Sequence, residues 1–262
     1  MAEYALITGA SGGIGMELAR IAASNNINLI LLARNAEKLM QLRTELEELH
    51  PVKVLAVGCD LAEPDTAEKI ALLLNGRGIV PDILINNAGF GMYGLFDRIG
   101  TETEESMIQL NIVSLTSLTK FIYRQMRSRG KGKILNVSSI AGFMPGPYMA
   151  AYHATKAYVL LFSEALAAEA KGSGVTVTAL CPGPTETNFE NRASTGAGIK
   201  AFQKFGKLPT ARQVAEYGWK SMMKGKTVAI HGGVNRLLIF LIRFLPRKTV
   251  ANIAGMIQTT GK

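Results

Sequence analysis

A phenol and an ammonium four residues apart can act together as one acid. Tyr152 and Lys156 hold that spacing in AAYHATKAYVL, with Ser138 fourteen residues upstream of the tyrosine in ILNVSSIAG. On a helix, residues i and i+4 share a face one turn apart, so the Lys156 ammonium is expected beside the Tyr152 phenol. A nearby positive charge favours the phenolate, and the tyrosine pKa is expected to fall from its usual value of about 10. Such a phenol gives or takes a proton near neutral pH. The Ser138 hydroxyl can hold a carbonyl oxygen. Tyr-x-x-x-Lys also occurs on solvated helices, so its meaning depends on the rest of the chain.

The elements that must position these groups are written as apolar runs alternating with helical patterns. ALIT (5–8), INLILLA (27–33), VKVLAVG (52–58), DILINN (82–87), KILNVSS (133–139), VTVTALC (175–181) and TVAIHG (227–232) read as strands. Helical stretches over 14–24, 35–50, 101–129 and 150–171 lie between them. Two further helices open at Glu63-Pro64-Asp65 and at Pro209-Thr210. The strands are nearly continuous in Val, Ile and Leu, as parallel strands covered on both faces require. The order predicts an α/β fold with a doubly wound, mostly parallel, seven-stranded sheet. No repeat or linker divides residues 1–262, which are read as one domain. Residues 184–208 break the rhythm with Gly, Ser and Thr and with Phe189, Phe202 and Phe205. This segment follows the C-terminal end of a strand and is read as a substrate lid.

The first strand runs into Thr8-Gly9-Ala10-Ser11-Gly12-Gly13-Ile14-Gly15 and then a helix. Glycines allow backbone to approach a phosphate, and a helix start offers free N–H groups and a positive dipole end. Gly9, Ser11, Gly13, Ile14 and Gly15 are therefore cofactor candidates. The second strand ends in Ala33-Arg34-Asn35, without the carboxylate that binds unphosphorylated ribose hydroxyls. Arg34 is placed to pair with a 2′-phosphate. NADP(H) is expected in preference to NAD(H).

Composition narrows the classes. Hydrophobic residues make up 48% and charged residues 19%, which argues against disorder. Cys59 and Cys181 stand alone, as thiols of a reducing compartment. The three histidines have no ligand spacing, so no metal is expected. MAEYALITG carries neither a basic start nor a long apolar segment, and a cytoplasmic protein is expected. The net charge of +9 is uneven, with twelve basic residues after position 199 opposed only by Glu216. That asymmetry suggests an acidic partner on the C-terminal side.

Taken together, TGASGGIG (8–15), Asp60-Leu61, NNAG (86–89), Asn111, Ser138, Tyr152-x-x-x-Lys156 and PGPTET (182–187) resemble the short-chain dehydrogenase/reductase family in order and approximate spacing. The resemblance runs from residue 3 to about 232 and implies a Rossmann fold that binds a nicotinamide dinucleotide. It implies that Asp60 and Leu61 meet the adenine and that Asn87, Ala88 and Gly89 line the cofactor. Pro182, Gly183, Thr185 and Thr187 would hold the nicotinamide end. Ser138 would hold the substrate carbonyl, Tyr152 protonate it, and Lys156 bind the ribose and depress the tyrosine pKa. Asn111 would anchor a water that relays protons to Lys156. Ser139 is read as support for the strand end and His153 as packing. Phe143, Met144, Tyr148 and Met149 are candidates for an apolar pocket.

VNRLLIFLIRFLPRKTVANIAGMIQ follows the last strand and is read as a helical extension (236–262), two short helices joined at Leu245-Pro246. LLIFLI is too short to cross a bilayer. Three readings stand open for it: a cover over the cleft, a self-association surface, or peripheral contact with an anionic membrane. Nucleic acid is not an expected partner. The function expected is an oxidoreductase for a small carbonyl or alcohol substrate, apolar and moderately bulky, in a homo-oligomer (dimer or tetramer). The alternatives are a peripheral membrane reductase of lipid or acyl substrates and a dinucleotide-binding sensor without catalysis.

Overall fold

The computed structural model describes residues 3–187 and 207–259. Seven strands form one sheet: β1 (Tyr4–Thr8), β2 (Asn28–Ala33), β3 (Val54–Gly58), β4 (Ile83–Asn86), β5 (Gly132–Val137), β6 (Val175–Cys181) and β7 (Val228–Ile230). Their order is β3-β2-β1-β4-β5-β6-β7, and each neighbouring pair is parallel. Successive side chains of a strand point to opposite faces. In β2, Leu29 and Leu31 enter the core under α1 (Gly13–Ser24) and α2 (Ala36–Leu49), while Ile30 and Leu32 enter the core on the other face. Helices α3 (Thr66–Gly76), α5 (Leu115–Arg129) and α6 (Ala150–Glu169) cover that second face, and α7 (Ala211–Met223) joins α1 on the first. Burial on both sides explains the unbroken apolar runs of the strands.

The winding changes direction between β1 and β4, and the crevice at their C-terminal ends is the place for a ligand. The two strands are locked there. The Thr8 hydroxyl accepts the N–H groups of Asn87 and Ala88, each at 2.9 Å. In return, Asn87 Nδ2 donates to the carbonyls of Thr8 at 3.0 Å and Gly9 at 3.2 Å. Behind this lock, Asn86 Nδ2 donates to Thr119 Oγ1 and Asn136 Oδ1, both at 2.8 Å. Asn136 Nδ2 donates to Ser163 Oγ at 2.9 Å. This buried chain ties β4 and β5 to α5 and α6, with its amide donors satisfied as buried polar groups require.

Three local readings change. The helix expected from Glu63-Pro64-Asp65 begins at Thr66, because Asp65 takes a left-handed backbone (φ +62°) that no helix interior admits. The stretch 101–129 is not one α-helix. It runs as α4 (Thr101–Ile108), a π-helical segment over Gln109–Ser114, and then α5. Asn111 lies in that π segment, the kind of helix irregularity often found at functional sites. The C-terminal extension starts earlier than expected, as α8 (Gly233–Ile242) and α9 (Arg247–Thr259) on either side of Pro246.

Candidate active site

Helix α6 places Tyr152 and Lys156 in its first two turns, and both side chains are buried. The tyrosine ring lies against Gly91; a methyl group there would come within 2.9 Å of a ring carbon. The phenol hydrogen-bonds with the side chain of Ser139. That serine Oγ also accepts the Ala141 N–H at 3.1 Å and lies 3.4 Å from the Pro182 carbonyl. Ser138, the serine expected at the substrate, turns elsewhere. Its hydroxyl donates to the backbone carbonyl of Lys156 at 2.7 Å. Neighbouring residues in extended backbone face opposite sides, so a step of one residue exchanges a cleft group for a support.

Lys156 Nζ donates to the Val137 carbonyl at 2.9 Å and stands 5.8 Å from the centre of the Tyr152 ring. Burial lowers its pKa from 10.5 to about 8. The expected fall in the tyrosine pKa is overturned: burial pushes Tyr152 up to about 12, with the Ser139 hydrogen bond opposing. Two facts account for this. The ammonium is directed at a backbone carbonyl, and loss of water penalises the phenolate. Cys181 closes the floor. It is fully buried, its thiol donates to the Ala179 carbonyl at 3.8 Å, and burial pushes that thiol up to about 12.

Asn111 Nδ2 donates to the Phe90 carbonyl at 2.9 Å and to Thr155 Oγ1 at 3.0 Å, while its Oδ1 accepts the Phe90 N–H at 3.2 Å. The side chain holds the loop after β4. Loop and lysine meet: a methyl on Gly89 would lie 2.9 Å from Asn111 Oδ1 and 3.4 Å from Lys156 Nζ.

The phosphate turn follows β1. Gly9 (φ +66°) and Gly13 (φ +56°) occupy backbone regions that side chains avoid. A methyl on Gly15 would lie 2.5 Å from the Gly9 carbonyl oxygen, so the turn closes only on glycine. No side chain caps α1 at Gly12 and no acid occupies its first turn. The N–H groups of Gly13, Ile14 and Gly15, with Ser11 just before them, therefore start a helix without an internal acceptor. Arg34 follows β2 and stands 3.8 Å from Asp60 Oδ2 beyond β3; Asp60 Oδ1 accepts the Ala62 N–H at 2.9 Å. Leu61 is buried, and its carbonyl accepts the Ser114 hydroxyl.

After β6, the Pro182 carbonyl accepts the Ile140 N–H at 2.9 Å and Thr185 Oγ1 donates to Gly183 at 2.9 Å. The Thr187 methyl comes 3.4 Å from where a methyl on Gly13 would sit. Gly9, Arg34, Asn87 and Pro182 directly follow the C-terminal ends of β1, β2, β4 and β6, with Asp60 two residues beyond β3. The open helix start and glycine cradle of the crevice fit a nicotinamide dinucleotide. Most of the expected lid, including Phe189, Phe202 and Phe205, lies outside the described residues.

Several neighbours escaped the sequence reading. Gly91, two residues beyond NNAG, is the floor under the tyrosine ring, and the Gly89-x-Gly91 spacing was its available signal. Asn235 of α8 packs on Gly183, where a methyl would meet its amide nitrogen at 2.6 Å. Tyr93 stacks on Tyr148 at 5.8 Å between centroids and donates its hydroxyl to the Gln258 carbonyl at 2.9 Å. Tyr148 itself has a left-handed backbone (φ +64°). Of the pocket candidates, Met149 packs in the small cluster around Tyr152, whereas Phe143 packs with Leu160 and Cys181. His153 is packing, as expected: its Nδ1 meets the Met144 carbonyl at 2.9 Å, and burial lowers its pKa.

The chain resembles known proteins in both sequence and fold. Residues 3–198 match the family model described as short chain dehydrogenase. A very-long-chain 3-oxoacyl-CoA reductase of Bos taurus is 33% identical over 186 residues, 70% of this chain and 59% of that protein. The 17-beta-hydroxysteroid dehydrogenase type 3 of Homo sapiens is 34% identical over 207 residues, 78% of this chain and 66% of that protein. The chain thus spans about three fifths of the length of the first relative and slightly under two thirds of the second. Among solved structures, a short-chain dehydrogenase from Sphingobium yanoikuyae in complex with NADPH superposes with a TM-score of 0.80. It is 29% identical, and the match covers 96% of this chain and 99% of that one. A 7beta-hydroxysteroid dehydrogenase gives a TM-score of 0.86 at 25% identity, covering 96% of each.

Proposed function

The chain belongs to the short-chain dehydrogenase family, and from that premise we propose that it is a nicotinamide-dependent oxidoreductase that interconverts an apolar, bulky ketone or aldehyde with its alcohol, using NADPH in preference to NADH. The observation that carries the reading is the meeting of Ser139, Tyr152 and Lys156 at one end of the dinucleotide crevice. A bound nicotinamide supplies the hydride.

The side chains do the rest. Ser139 and Tyr152 hold the carbonyl oxygen between their hydroxyls. At neutral pH a phenol held near 12 keeps its proton, and it releases that proton only as alkoxide charge builds on the oxygen. The Lys156 ammonium stabilises the phenolate left behind, in a site where exclusion of water strengthens every charge. Asn111 is a positioning residue that fixes the Phe90 loop against Thr155. Oxidation retraces these steps.

Arg34, and the lack of a carboxylate at the end of β2, support NADPH, as does its presence in the Sphingobium yanoikuyae structure. The apolar wall of Phe90, Met107, Met149 and the Tyr93–Tyr148 stack supports a bulky apolar substrate. The fatty-acyl and steroid names of the relatives point the same way. Exposed Ile108, Val113 and Leu161 near the two long helices support a dimer or tetramer. A panel of carbonyls and alcohols, followed by NADPH absorbance and repeated with NADH, tests the reading. Tyr152→Phe is expected to abolish turnover while NADPH still binds, and Arg34→Ala to raise KM for NADPH far more than for NADH. Turnover that survives Tyr152→Phe removes the mechanism, and equal effects on both cofactors reverse the cofactor choice.

A further inference from the structure

Helices α8 and α9 carry apolar residues on two sides. Inward, Ile239, Val250 and Ala254 are buried. Outward, Val234, Leu237, Phe240, Leu241 and Phe244 recur every three or four residues along α8 and the turn after it, the spacing of one helical stripe. Each is between 50% and 72% exposed, and the Phe240 and Phe244 rings meet edge to face at 5.3 Å. Arg236 and Arg243, seven residues and two turns apart, share one face next to this stripe, and Arg247 and Lys248 follow at the start of α9. Residues 233–259 contain these four cations and no acid. Among the described residues none of the four forms a salt bridge.

Neither helix is long and apolar enough to cross a membrane. Lying flat is another matter: an apolar stripe bordered by cations is the pattern of a helix that rests in the plane of a lipid interface. The patch also adjoins the cleft, since Gly255 of α9 packs on Pro147 and Gln258 takes the Tyr93 hydroxyl.

We propose that α8 and α9 form a docking surface for an anionic lipid bilayer, the stripe entering the interfacial zone while Arg236, Arg243, Arg247 and Lys248 meet lipid phosphates. Charge selects this occupant. A second copy placed on the same stripe by a twofold axis would bring two basic rims together with no acid between them, an arrangement that repels. Anionic lipid neutralises the rim and covers the stripe in one step.

The test is flotation of the full chain with vesicles of phosphatidylcholine, with and without phosphatidylglycerol. Binding is expected only to the anionic vesicles. Arg236→Ser and Arg243→Ser each lower the partition coefficient about fivefold. The pair Leu237→Ser and Phe240→Ser abolishes flotation. All variants are expected to bind NADPH as the parent does, which shows that they fold. Equal binding to both vesicle types, binding to neither, or wild-type flotation of the Leu237/Phe240 variant overturns the proposal. So does a dimer in solution that the same variant dissociates without any vesicle binding, which assigns the stripe to a second copy.

Discussion

Two consecutive serines present their hydroxyls to different partners, and removing each tests a different property. Ser139→Ala takes a donor from the carbonyl oxygen and is expected to lower kcat by about 100- to 1,000-fold with little change in melting temperature. Ser138→Ala breaks a buried bond to the Lys156 carbonyl and is expected to cost about 1 kcal/mol of stability, with a small effect on kcat. Kinetics and thermal melts of the two variants check this, and the opposite pattern returns the carbonyl to Ser138. That Tyr152 and Lys156 share one face of α6 was legible from spacing because helical geometry decides it, while their chemistry was legible only from the motifs around them. The serine was not, because the reading counted residues to the tyrosine and could not see which face each hydroxyl takes.

Lys156 supplies a pH signature. Its folded pKa of about 8 lies below the usual 10.5, so above pH 8 the unfolded chain binds more protons than the folded one and stability rises with pH. Tyr152, raised to about 12, and the thiols of Cys59 and Cys181, raised to about 11 and 12, act in the opposite sense. The unfolded thiols already ionise between pH 8 and pH 9, so over pH 8–9 the lysine's share is read by comparison with a variant that lacks it. Over that interval kcat/KM for reduction is expected to fall as the ammonium is lost, while the lysine's share of stability grows. Lys156→Met should remove that rise from a comparison of melting temperatures. A kcat/KM profile that stays flat to pH 10 counts against the ammonium.

Loops set the site as firmly as helices do. Gly91→Ala pushes a methyl against the Tyr152 ring, and a displacement approaching 1 Å in a reacting group costs on the order of 100-fold. The variant is expected to lose kcat by 10- to 100-fold and to bind NADPH within about twofold of the parent; full activity would show that the ring has room to move. The seven strands were legible because burial on both faces leaves long apolar runs. The π turn at 109–114 was not. Its residues read as ordinary helix, and the bonds from Asn111 to Phe90 come from a loop some twenty residues earlier in the chain. The start of α3 was misplaced for a local reason, the left-handed backbone at Asp65 that Pro64 does not announce.

Across the molecule, the crevice is made by pieces far apart in sequence. The family pattern was legible because each strand ends in its own short motif, and the sheet order then brings Gly9, Arg34, Asp60, Asn87 and Pro182 to one rim. The extra apolar face of α8 was visible as composition only; which residues point outward depends on how Ile239 and Val250 dock.

The lock between Thr8 and Asn87 spans 79 residues. Contacts between such distant parts of a chain form only after the entropy of closing a long loop has been met, which slows folding of parallel sheets. Helix α1 and its glycine turn are local and can form early, but the wall of Asn87 and Ala88 facing them arrives with the β1–β4 pairing. Ligand therefore finds its full site only in the finished protein. Saturating NADPH is expected to slow unfolding and leave the refolding rate unchanged, as measured by stopped-flow dilution from denaturant. Refolding accelerated by NADPH would place the β1–β4 lock before the barrier rather than beyond it.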